Sequence, residues 1–527
     1  MISKSIYKLR EANHLSQAEF AELFHVSTQA VQKWESGLSY PTITNLIAIA
    51  KRFHVSVDTL LLESDGRSIE EMQKSKEIFP DFICIHPWEF YAKNLELEYR
   101  QSTDEGYELE AYRDLFYAVA KMPDGKEKDQ IADILFNIII NAKIKNGYAY
   151  SEPSELEEIK ALRKDCNFSH RLPDNSILKE KIKGAWVGRI CGCLLGKPVE
   201  GIRTDELIPL LKEMKNYPLK HYMVSSDITD EMCQRYRFRL KGQCWADTVP
   251  CAPVDDDTNY TVMAQVLIDR FGRDFTAKDV ANVWLWYQPK EAYCTAERVA
   301  FKNLVNGYAP PASARYKNPY REWIGAQIRG DYFGYINPGN PELAAEMAWR
   351  DASVSHIKNG IYGEMFVAAM LACAAVTDDI YDIINGGLAQ IPSTGRLYQA
   401  ISAVLQQHKN GLKCEDCFAN IHAKYDEYSE HDWCHTISNA MIVTAALLYG
   451  NGDFGKSVCL AVQTGFDTDC NGATVGSVVG MQKGIGCIEY EWQQPLHGRI
   501  DTSIFGVGQI EIDALTEKTM RHIEMFG

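Results

Sequence analysis

Residues 177–201 read ILKEKIKGAWVGRICGCLLGKPVEG, and residues 465–480 read GFDTDCNGATVGSVVG. Gly184, Gly188, Gly192 and Gly196 recur every fourth residue in the first stretch, and Gly472, Gly476 and Gly480 do so in the second. A spacing of four is close to one helical turn, so each set lies along one face of a helix. Glycine inside a helix costs roughly 1 kcal/mol relative to alanine. A helix carrying four of them on one face is expected to press against another backbone. Asp174-Asn175 caps the start of the first helix, and Glu200 follows its end in a turn after Pro198.

Two acidic clusters carry the chemistry. Asp255-Asp256-Asp257-Thr258-Asn259 precedes a helix with Val262, Met263, Val266 and Leu267 on its apolar face. Three consecutive carboxylates repel one another unless water or a cation neutralises them, and a helix N-terminus offsets only about 1 kcal/mol of that. Asp467 and Asp469, two residues apart in a loop, can both face one ion. Clustered oxygen donors suit Mg²⁺, Mn²⁺ or Ca²⁺. If folding joins the clusters, a binuclear site results. Taken singly, each cluster reads equally well as an N-cap or an Asx turn.

Taken together, these motifs resemble the ADP-ribosylglycohydrolase family over roughly residues 178–510. The resemblance is carried by Gly184-Ala185, Gly188, Leu195-Gly196, Pro198 and Glu200, then Asp256-Asp257-Thr258, then Ala352, Ser355-His356, Gly360 and Gly363. Gly465, Asp467-Thr468-Asp469 and Asn471-Gly472-Ala473 complete it. The resemblance implies an orthogonal all-α bundle with two Mg²⁺ (or Mn²⁺) ions at the base of an ADP-ribose cleft. It implies Asp256 and Asp257 on one metal, with Asp467 and Asp469 completing or sharing the pair. Asp255 stands where the family often has Thr or Ser, and is a further candidate ligand. Glu200, Asp256 and Asp469 are the expected catalytic carboxylates, and His356 matches a histidine near the bound substrate. Two thiols depart from the pattern. Cys470 replaces a usual Thr or Ser, and a thiol is a poor partner for a hard ion. Cys193 stands near the place of a usual Asp.

The first 62 residues read differently. Ser16 with Glu19 makes a capping box, Ser27 caps a helix bearing Ala30, Val31 and Trp34, and Gly37 ends it in the left-handed region. Leu15-Ser16-Gln17, Phe20-Ala21, Val26-Ser27, Val31, Trp34-Glu35-Ser36-Gly37, Pro41 and Leu60-Leu61 resemble the repressor-type (XRE) helix-turn-helix family in order and spacing. The resemblance implies a five-helix module whose third helix enters the major groove of DNA, commonly as a dimer. Thr28, Gln29, Gln32 and Lys33 are the expected base and phosphate contacts, with Gln17 holding a phosphate. His25 replaces the usual turn glycine, which predicts a slightly strained turn.

The expected organisation is therefore a helix-turn-helix at 1–62, a linker and helical spacer at 63–175 and a hydrolase-like domain at 176–527. Within the spacer, Glu63–Glu77 reads as linker, and 95–117 and 128–145 read as amphipathic helices. The net charge of −16 is uneven: residues 1–62 carry six basic against five acidic side chains. No apolar leader or membrane-length stretch is evident, and fifteen cysteines then read as reduced thiols in a cytoplasmic protein. Tyr335, in the Gly/Pro-rich stretch GDYFGYINPGNP, is a candidate for stacking on substrate. Cys414 and Cys417 with His431, Cys434 and His435 are a weaker zinc candidate. Three functions stay open: hydrolysis of an ADP-ribosyl bond on a protein or small molecule, hydrolysis of a related glycoside, or a regulator whose hydrolase-like domain senses a nucleotide or sugar.

Overall fold

The computed structural model describes residues 2–61, 86–164 and 168–525. The stretch 63–77 that reads as a linker lies outside them. The chain divides into two units, Met1–Ile83 and Cys84–Gly527. Both are helical; the described strands are a two-residue antiparallel pair, Arg499–Ile500 with Ile510–Glu511.

In the first unit, α1 (Ile2–Ala12), α2 (Gln17–Leu23), α3 (Thr28–Glu35), α4 (Ile43–Arg52) and α5 (Val57–Leu61) enclose Ile6, Phe20, Val31, Trp34, Ile49 and Leu60. The capping box at Ser16 and Glu19 is present, and Ser27 caps α3 through the Ala30 N–H. His25 sits at φ 56° and Gly37 at φ 76°. The histidine accepts a backbone that a β-carbon disfavours, and the turn keeps its shape. Arg10 ties α1 to α3, its Nε donating to Glu35 Oε1 at 2.6 Å.

In the second unit, the amphipathic run 95–117 forms two helices rather than one. α6 (Leu95–Asp104) ends before Gly106, which adopts φ +89°, and a helix resumes at Arg113–Ala120. A β-carbon at Gly106 would stand 2.7 Å from the Tyr148 ring, so the chain turns there under a side chain from far along the sequence. α6 and α7 (Lys126–Asn141) close a small core of their own around Leu95, Phe116 and Leu135. Buried ions attach this part to the main bundle. Glu89 takes Arg298 at 2.7 Å and Lys290 at 3.1 Å, and Arg321 takes Glu98 at 2.8 Å and Glu105 at 2.7 Å. Removing one partner of such a pair leaves an uncompensated buried charge.

The centre of the main bundle is the antiparallel packing of α8 (Asn175–Gly196) on a later helix, α9 (Thr468–Lys483). Their glycine faces meet. A β-carbon on Gly188 would lie 2.2 Å from the Gly476 carbonyl oxygen. One on Gly192 would lie 2.0 Å from that of Gly472, and one on Gly184 2.4 Å from that of Gly480. No side chain fits between the two backbones, and the register is set.

Candidate functional site

The seam decides where the chemistry falls. Because α8 and α9 run antiparallel, Gly196 at the end of α8 abuts Thr468 at the start of α9. Cys193, Lys197 and Glu200 are thereby brought to Asp467, Asp469 and Cys470. The Asp255–Asp257 run arrives at the start of the helix Asp256–Phe271. Together they form one wall of a cleft of about 290 Å³, to which Glu200, Asp255, Asp256, Asp467, Asp469 and Cys470 all contribute.

Each carboxylate is held differently. Asp255 is the N-cap: its Oδ1 accepts the Asp257 N–H at 2.8 Å, and its Oδ2 accepts from Lys197 Nζ at 2.5 Å. Burial opposes the charge on Lys197, but Asp255 and its neighbours outweigh it and raise the ammonium pKa. Lys197 in turn holds the Asp255 carboxyl low against its own burial. Asp257 is fully buried. Its Oδ1 meets Nη2 of the wholly buried Arg189 at 3.1 Å, and Arg189 also reaches Asp331 at 3.0 Å. Asp256 is half-buried on the cleft wall, and burial with Asp255 and Glu200 nearby pushes its pKa well up.

Asp467 is positioned from α9's neighbour, the helix Thr436–Gly450. Its N–H donates to Asn439 Oδ1 at 3.3 Å, and Asn471 donates to the same oxygen at 2.8 Å. The Cys434 thiol donates to Asp467 Oδ2 at 3.3 Å. Oxygens of Asp257, Asp467 and Asp469 remain buried with no hydrogen-bond partner, the state of carboxylates that a cation completes. Glu200 is exposed on its outer side. Packing behind it and the charges of Asp467 and Asp255 raise its pKa to about 7.

Two groups of metal-type donors have ligand atoms within 4.8 Å of one another: Cys193, Asp255 and Asp257, and Asp257, Asp469 and Cys470. Asp257 belongs to both; Asp256 and Asp467 stand on the wall outside them. The free oxygens fit a divalent cation. Neither compact group is all-oxygen, the donor set that Mg²⁺ takes. Each group contains a thiol, and Asp255 has a lysine on one oxygen.

Two expected substrate contacts lie elsewhere. Tyr335 is not on an open loop but in the short helix Asp331–Tyr335, fully buried, with its hydroxyl 2.7 Å from Ser477 and its ring against Trp186. Four aromatic and apolar residues in GDYFGYI outweigh the flanking glycines, so the segment packs as core. His356 is also fully buried, bonded through Nδ1 to Ser355 Oγ at 2.8 Å, and does not line the cleft. The zinc candidates scatter: Cys434 serves Asp467, and Cys414 and Cys417 lie on the helix Cys414–Lys424, in neither donor group among the described residues. The cleft adds residues that sequence reading passed over: Lys197, Cys294, Glu297 and Trp433, and Trp88 from the region taken as spacer. Lys197 was visible beside Glu200, but its partner lies 58 positions away. A larger cavity, of about 740 Å³, is lined by Tyr222, Asp247, Asp453 and Trp492. There Asp247 and Asp453 are engaged by donors of Ser225 and Lys456.

In the first unit Thr28, Gln29, Gln32 and Lys33 are exposed along α3. Gln17 Nε2 donates to Glu35 Oε2 at 2.7 Å, which ties α2 to α3.

Comparison with known proteins agrees with this division. The family described as ADP-ribosylglycohydrolase matches residues 174–524, and that described as Helix-turn-helix matches residues 6–60. The chain is 41% identical over 76 residues to the HTH-type transcriptional activator BcrR of Enterococcus faecalis, covering 14% of this chain and 37% of that protein. It thus spans little more than a third of that relative. A solved ADP-ribosylglycohydrolase-related protein complex is similar at 17% identity and a TM-score of 0.42, over 66% of this chain and 99% of that one. The acidic motifs fall on one cleft and the first match spans more than half of the chain, so the chain belongs to the ADP-ribosylglycohydrolase family, with an XRE-type helix-turn-helix at its N-terminus.

Proposed function

We propose that the protein is a DNA-binding, metal-dependent hydrolase that cleaves the ribose glycosidic bond of an ADP-ribosylated protein or small molecule. One observation carries the reading: six carboxylates (Glu200, Asp255, Asp256, Asp257, Asp467 and Asp469) converge from three chain segments, five of them lining the cleft. Asp257 and Asp469, whose buried oxygens lack a partner, would hold a divalent cation, with Asp256 and Asp467 on the cleft wall beside it. When bound, it supplies positive charge for the ribose hydroxyls and for charge that develops as the bond breaks.

The protein's own groups do the rest. Glu200 at the rim takes the proton of the attacking water, with Asp256 and Asp469 on the same wall as further carboxylates for that transfer. Trp88 and Trp433 line the cleft and are the aromatic candidates to meet a base, in place of Tyr335. Positioning of the ribose between these walls lowers the entropic part of the barrier. The first unit presents Thr28, Gln29, Gln32 and Lys33 to a DNA major groove, and paired half-sites would call for a homodimer.

The test is release of free ADP-ribose from ADP-ribosyl-arginine and ADP-ribosyl-serine peptides, with divalent metal and with chelator. Release that chelator abolishes, and that falls about 100-fold or more in Glu200→Gln, Asp256→Ala and Asp467→Ala, is the expected result. Intact protein that binds metal and releases nothing from either peptide would overturn the reading.

A further inference from the structure

The two donor groups in the cleft are not equivalent. In the group of Cys193, Asp255 and Asp257, both oxygens of Asp255 are in use, one by Lys197 and one by the Asp257 N–H. The Lys197 ammonium is a cation already in place there. In the group of Asp257, Asp469 and Cys470, by contrast, Asp257 Oδ2 and Asp469 Oδ1 are buried without a hydrogen-bond partner. A third donor, the Cys470 thiol, completes the triangle.

Its size suits an ion. Three atoms within 4.8 Å of one another share a centre no further than about 2.8 Å from each, against bonds of about 2.3 Å to sulfur and about 2.0–2.2 Å to oxygen for zinc. Closing on an ion asks at most for about 0.5 Å from the sulfur and about 0.6–0.8 Å from each oxygen. The chemistry of the set selects the ion. Mg²⁺ demands oxygen in near-ideal octahedral array, whereas a thiolate beside carboxylates suits zinc and its neighbours. Asp469 and Cys470 also line the cleft, so the remaining coordination position opens on it. Three protein ligands and one open position is the pattern of a catalytic zinc.

Resting on the hydrolase reading above, we propose that Asp257, Asp469 and Cys470 bind one thiophilic divalent ion of the zinc class, with Lys197 standing in for a second. On binding, the Cys470 S–H proton passes to solvent and a sulfur–metal bond replaces it; nothing is oxidised or reduced.

The full chain, stripped of metal, is titrated with Co²⁺. The expected result is a thiolate-to-cobalt charge-transfer band in the near ultraviolet that saturates at about one equivalent. Zn²⁺ removes the band and excess Mg²⁺ does not. Cys470→Ser abolishes it, Cys193→Ser keeps it, and Asp469→Asn weakens cobalt affinity at least tenfold, all with unchanged circular dichroism. A band that survives Cys470→Ser, one that Mg²⁺ displaces, or saturation at two equivalents would overturn the proposal. ADP-ribose release on the same samples separates the two readings. The expected band without any release leaves the ion site standing and removes the ADP-ribosyl reading. Release supported by Mg²⁺ alone and undiminished in Cys470→Ser removes the ion site and leaves the hydrolase.

Discussion

Glu297, on the cleft wall, shows how a single residue can tie stability to pH. It is 1% exposed, and burial raises its carboxyl pKa to about 7, even though Arg329 Nη1 donates to it at 2.7 Å and pulls the other way. In the unfolded chain the same group ionises near pH 4.3. The raised value means that its contribution to folding is fully present below about pH 4.3 and is lost as pH rises, the loss being complete above about pH 7. Glu297→Gln is expected to gain stability relative to the native protein across that window, on the order of 3 kcal/mol in all. Denaturant melts at pH 5 and pH 8 measure it, and an equal difference at the two pH values would refute it. Residues of this kind divide sharply in how far sequence betrays them. Asp256, Asp467 and Glu200 were readable as cleft carboxylates because local motifs carry them. The pairing of Lys197 with Asp255 was not, since neither position marks the other. Tyr335 was misread because glycine and proline counted for more in a local window than burial did in the fold.

At the level of elements, the seam between α8 and α9 was legible in both helices as a period of four. That the two glycine faces meet each other, and antiparallel, was not, because spacing along one helix says nothing of its partner. The helix break at Gly106 was missed for the same reason: Tyr148 imposes it from 42 positions away. The seam gives a direct prediction. A β-carbon at Gly192 would stand 2.0 Å from a backbone oxygen, and backbone cannot swing aside as a flexible side chain can. Gly192→Ala is therefore expected to cost about 3 kcal/mol by forcing the helices apart. Gly486, with nothing within 4 Å of its would-be β-carbon, is the control, and Gly486→Ala should be close to neutral. Chemical denaturation of the two variants decides it; equal losses would show that the seam is not tight.

For the whole molecule, charge and surface separate the two units. The chain is strongly acidic overall, yet the first unit is nearly balanced and presents Lys33 and three polar side chains from α3 to solvent. A protein that neutralises phosphates releases counterions, so its DNA affinity falls with salt in proportion to the contacts made. Lys33→Ala is expected to weaken DNA binding and lower the log–log salt slope by about 1. Fluorescence anisotropy across a salt series would show this, and an unchanged slope would remove Lys33 from the phosphate contacts. The glycine seam also bears on how such a molecule can acquire new chemistry. Its shafts cannot drift one position at a time, since enlarging either side of a contact requires space that the other side does not have. That restriction falls on the glycine face, which stays tight as far as Gly196 against Thr468. Cys193, Lys197 and Cys470 stand beside or just beyond that face, so their side chains are not the ones pressed between the two backbones. The rigidity of that face is what makes its flanks evolvable.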